Sequence, residues 1–89
     1  MASDISERLL LNVLLKGLAE ATRRNDRSSA ERYRRRLRLA AEQVADEPVQ
    51  NALKRVLSGL WIEAAEVDRD ETAQQMLKLI DRGLGLLAS

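Results

Sequence analysis

The chain contains neither cysteine nor histidine. Disulfides, thiol nucleophiles, Cys/His zinc sites and histidine acid–base chemistry are therefore excluded by composition alone. Phenylalanine is also absent, and the aromatics are one tryptophan, Trp61, and one tyrosine, Tyr33. The apolar content is carried mostly by Leu, Ala, Val and Ile. Leu and Ala favour helices, and β-branched residues are sparse, so strands are not expected. Proline occurs once, at Pro48, and the four glycines fall singly rather than in a phosphate-cradling loop.

No stretch reaches the ~18 apolar residues that a membrane span needs. The longest run near the start, Leu9–Leu11 and Val13–Leu15, is broken by Asn12 and closed by Lys16. The first residues also lack the basic region and apolar core of a signal peptide, and the missing cysteine suits a reducing compartment. A cytoplasmic protein is expected. At 89 residues the chain reads as one domain, 1–89. A domain of this size buries only about 60–65% of its unfolded surface, so stability is modest unless a partner adds to it.

Net charge is +1, but it is unevenly spread. Residues 1–45 carry ten Lys/Arg against six Asp/Glu, whereas residues 46–89 carry five against eight. Arginine outnumbers lysine by twelve to three, a bias that designed sequences, rich in Lys and Glu, do not usually show.

Helix starts are marked by capping-box spacings: Asp4 with Glu7, Ser28 with Glu31, and Asp68 with Glu71. In such a box the first side chain accepts from a backbone N–H three residues on, and the Glu reaches back. A fourth start is Asp46-Glu47-Pro48, where proline in a first turn loses no intrahelical bond and the acids favour the positive end of the helix dipole. These signals predict four helices at about 4–24, 28–45, 47–66 and 69–87. The short connections between them predict an all-α fold of antiparallel neighbours, either an up-down bundle or two stacked hairpins.

Helical periodicity supplies the inner faces. The first stripe is Leu10, Leu11, Leu14, Leu15, Leu18, Ala21 and Thr22; the second is Ala30, Tyr33, Leu37, Ala40, Ala41 and Val44. The third is Val49, Ala52, Leu53, Val56, Leu57, Leu60 and Ala64; the fourth is Ala73, Met76, Leu77, Ile80, Leu84 and Leu87. Gly17-Leu18 and Gly59-Leu60 stand 42 residues apart, as do Asp26-Arg27 and Asp68-Arg69. This faint echo does not match the period or register of helical-repeat families.

Apolar residues remain after the stripes are drawn. Leu9 and Val13 fall on the far flank of the first helix, Leu39 on the polar side of the second, Ile62 off the third stripe with Trp61 at its edge, and Leu79 and Leu86 on a second line of the fourth. A helix apolar on two sides is buried on two sides. These seven residues are the expected contact surface for a protein partner, foremost another copy of the chain. Gly83 would allow close approach beside Leu79 and Leu86. Trp61 is the candidate hot spot, or else an anchor sealing one end of the core.

Arg32, Arg34, Arg35, Arg36 and Arg38 crowd the second helix, with Arg23, Arg24 and Arg27 before it. Arginines can grip phosphates in a bidentate manner, so Arg23, Arg24, Arg27, Arg32, Arg35 and Arg36 are the candidates for binding nucleic acid or an acidic partner. Against this, the five helix arginines fan over about 200° at 100° per residue, rather than forming one strip. No surface aromatic is expected to stack on bases. A solvated face paired with the acidic second half explains them as well.

The carboxylates Glu63, Glu66, Asp68, Asp70 and Glu71 are the remaining catalytic material. Their spacing lacks the ligand pattern of a calcium loop, and a diiron bundle site needs histidine. Capping and dipole roles account for them. No catalytic residue, metal or cofactor is expected. The sequence thus points to a non-enzymatic helical interaction module, with an arginine-based electrostatic binder as the alternative. An engineered scaffold without natural activity would share the regular capping, but the arginine bias and off-stripe leucines argue against one.

Overall fold

A computed structural model of the chain describes residues 2–59 and 61–88, with side chains over 8–59 and 61–87. It contains four helices, α1 (Ala2–Arg23), α2 (Arg27–Ala41), α3 (Glu47–Leu57) and α4 (Glu66–Ala88), and no strand among the described residues. The all-α, four-helix expectation is met.

The helix ends differ from the sequence reading, and each difference has a local cause. Helix α1 closes in a Schellman motif: Asn25 takes φ 57°, its N–H donates to the Thr22 carbonyl, and the Asp26 N–H donates to the Ala21 carbonyl. Asn tolerates this left-handed conformation better than most residues. Asp26 is thereby left extended (φ −91°, ψ 95°), and its Oδ1 accepts from the Ser29 N–H. The cap of α2 is Asp26, not Ser28. The α3 start stands as read, with Asp46 as N-cap and Pro48 in the first turn.

Helix α3 is much shorter than the expected 47–66. Ser58 and Gly59 end it, with the Ser58 N–H on the Lys54 carbonyl and the Gly59 N–H on that of Val56. An irregular connection over 58–59 and 61–65 follows among the described residues, and α4 begins at Glu66, so Asp68 lies inside the helix and does not cap it. The Asp4–Glu7 box and core candidate Leu60 fall outside the described side chains.

Each helix packs on two others among the described residues: α1 on α2 and α4, and α3 on α2 and α4. Gly17 of α1 meets Tyr33 of α2, while Leu10 lies beside Ala40, Gln43 and Val44. The radius of gyration is 12.6 Å, close to the ~12 Å expected for a compact chain of this length. The core takes most of the four stripes, with Leu15, Leu18, Leu37, Leu53, Val56 and Ile80 almost fully buried. Leu10 departs from its stripe and is 53% exposed.

Candidate interaction face

Of the seven expected contact residues, three stay outside: Leu9 and Val13 on α1 and Leu39 on α2 are 63%, 62% and 66% exposed. Leu10 joins them. Within α1, Leu9 and Val13 are one turn apart, and Leu10 is three residues before Val13. The three side chains therefore share a side of the helix. Leu10 borders α2 at Ala40 and Gln43, and Leu39 lies next to Ala40 in sequence and one turn before Gln43. Tyr33, Arg32 and Arg36 line the continuation of the α1–α2 groove with Ser29.

The other four lie deeper. Trp61 and Ile62 are buried, not exposed. They were placed outside by extending α3 through them. Because that helix stops at Leu57, the irregular backbone turns both side chains into the core. Leu79 and Leu86 are half-buried against the core and line a groove with Pro48, Asn51 and Ala52 of α3. Gly83 is buried too, facing Leu15 of α1 and not a free surface.

The arginines divide by what they hold. Three hold the end of α3 and the connection after it through backbone carbonyls: Arg34 donates from Nη2 to Leu57 at 2.6 Å, Arg69 to Ala64 at 3.1 Å, and Arg27 to Ile62. The Leu57 carbonyl, at the C-terminus of α3, carries the negative end of the helix dipole and accepts well from a cation. Sequence reasoning missed this role because the connection itself lay hidden inside a longer expected helix. Three others pair locally: Arg23 and Arg24 with Glu20 at 3.7 and 3.0 Å, and Arg35 with Glu31 at 3.8 Å. The expected pairing with the acidic half is thus replaced by pairs within a helix. Among described residues the ion pair joining the two halves is Arg8–Asp46, at 3.3 Å. Arg32 lies close enough to Asp26 to help hold its carboxyl below the usual range, behind the two Ser29 hydrogen bonds that dominate the shift. Arg36 and Lys16 have no carboxylate within ion-pair distance among the described residues.

The carboxylates at 63–71 are all exposed and none is held in an ion pair among the described residues. Beside them Val67 is 92% exposed. No described helix is long and apolar enough to cross a membrane. No protein-family model matches the chain, and no curated protein or solved structure matches it.

Proposed function

We propose that the chain is a non-enzymatic helical interaction module that self-associates through the outer face of α1 and α2. The observation that carries this reading is the exposure of Leu9, Leu10 and Val13, from 53% to 63%, on one side of one helix. A lone surface leucine is ordinary. Three large aliphatic side chains together, extended across the groove by Ala40 and Leu39, make a patch of the kind that marks a contact site. Covering it would gain roughly 25 cal/mol per Å² of apolar area, less the cost of association.

Light scattering coupled to size exclusion, across a range of concentrations, tests the reading. The wild-type mass is expected to rise with concentration. Leu9→Glu/Val13→Glu is expected to remain at the mass of one chain with unchanged helical circular dichroism, since both side chains already face water. A wild-type protein that stays at one chain throughout ends the proposal.

A further inference from the structure

The α1–α2 face is apolar at its centre and basic beside it. Lys16 and Arg36 have no carboxylate partner among the described residues, and the nearby Glu20 and Glu31 are already paired with arginines of their own helices. An isologous dimer would set this face against itself. It would bring two positively charged rims together, which is unfavourable. The complementary surface lies elsewhere on the same molecule. Residues 63–71 present five carboxylates against Arg69, and Val67, at 92% exposure, stands among them as an apolar contact. Arg27, the cation from α2 that reaches this end, spends a donor on the Ile62 carbonyl and leaves the neighbouring acids unpaired. Charge and polarity therefore match between the two patches and mismatch within each.

We infer that the α1–α2 face is covered by the acidic 63–71 turn of a second copy, joining copies head to tail. The inference rests on the self-association reading above and specifies its geometry. Because the two patches differ, each bound pair leaves one face and one turn free, and assembly is open-ended or closes as a ring. Attraction between exposed charges is screened by salt, with a screening length of about 10 Å at 0.1 M falling to about 3 Å at 1 M. Assembly should weaken accordingly.

Two variants test this, each checked for folding by circular dichroism. Lys16→Glu/Arg36→Glu removes the basic rim and keeps the turn; Asp70→Lys/Glu71→Lys removes the acidic turn and keeps the face. By light scattering between about 10 µM and 1 mM, the wild type is expected to grow beyond two chains at low salt. Each variant alone is expected at one chain. An equimolar mixture is expected to assemble again beyond two chains, because the unaltered face of one variant meets the unaltered turn of the other and the exchanged charges also attract. Failure of the mixture to associate would overturn the inference. So would an Asp70→Lys/Glu71→Lys protein that assembles like the wild type while Leu9→Glu/Val13→Glu does not, a result that leaves the self-association reading intact with a symmetric contact. A wild type of one chain under all conditions overturns both.

Discussion

The ring of Tyr33 occupies the space where residue 17 would carry a β-carbon: a Cβ built on Gly17 overlaps Cε1 and Cζ and stands 2.9 Å from Cδ1. Gly17 sits in the interior of α1, where alanine would normally stabilise by about 1 kcal/mol. Overpacking costs about 1–3 kcal/mol, so Gly17→Ala is expected to destabilise by about 1 kcal/mol net. In a Tyr33→Ala background the same substitution should stabilise by about 1 kcal/mol. A double-mutant cycle in urea reads this inversion. Equal effects in both backgrounds would mean that the half-buried ring swings away freely.

The arginines of α2 should separate sharply under mutation. Arg34 donates at 2.6 Å to the Leu57 carbonyl, where α3 ends and has no intrahelical N–H to offer. Arg34→Met is expected to cost about 1–2 kcal/mol, the range for a lost hydrogen bond from a charged donor. Removal of its buried Nε, which has no acceptor among the described residues, offsets part of the loss. Arg36→Met, with no partner to lose, should stay within about 0.5 kcal/mol. Urea midpoints of the two variants decide; equal midpoints would deny the clamp.

The number of helices and most of their inner stripes are legible in the sequence because apolar spacing at 3.6 residues is a local property. Helix ends are less legible because neighbouring acceptors compete. At the start of α2, Ser28–Glu31 and Asp26–Ser29 both offer capping geometry, and Asn25, by taking the left-handed conformation, leaves Asp26 extended and decides the contest. At the end of α3 the glycine signal is present in Gly59, yet the apolar pattern runs on through Leu60, Trp61 and Ala64 and conceals it. Periodicity is uninformative once the backbone is irregular, which is why Ile62 reads as a surface residue and Trp61 reads equally as contact or core anchor. Leu9, Val13 and Leu39 are legible as exposed because they sit inside regular helices, where an angle on the wheel reports a direction, although Leu10, at the margin of the α1 stripe, still falls on the exposed side.

Trp61 is the residue whose assignment changes most. It has no exposed surface, and it sits in the connection held by Arg27, Arg34 and Arg69. Truncating a buried tryptophan to alanine costs about 3–5 kcal/mol, a large share of the ~5–15 kcal/mol stability of a typical domain. Trp61→Ala should therefore lower the urea midpoint severely or prevent folding. Leu39→Ala, on an exposed side chain, should shift it by about 0.5 kcal/mol or less. A mild Trp61→Ala effect on folding together with lost self-association would restore Trp61 to the contact surface.

Asp26 links α1 to α2 in a manner that depends on pH. The Ser29 hydroxyl and backbone N–H both donate to its carboxylate, and Arg32 adds attraction, so the folded pKa lies below the ordinary 3.8. A carboxylate with a depressed folded pKa contributes stability above its unfolded value and loses it as pH falls through the folded one. The gap in urea midpoint between wild type and Asp26→Ala should thus be constant from about pH 7 to 5 and narrow below about pH 4. Asp26→Asn keeps an acceptor for the Ser29 N–H without the charge, so it should lose less than alanine, while its gap to the wild type should narrow over the same pH range because the titrating carboxyl is the wild type's. Comparing the three proteins across pH isolates this carboxyl from the others, whose titration is common to all. A gap that stays constant down to pH 3, or one that widens as the pH falls, would show that the charged cap is not what joins these helices.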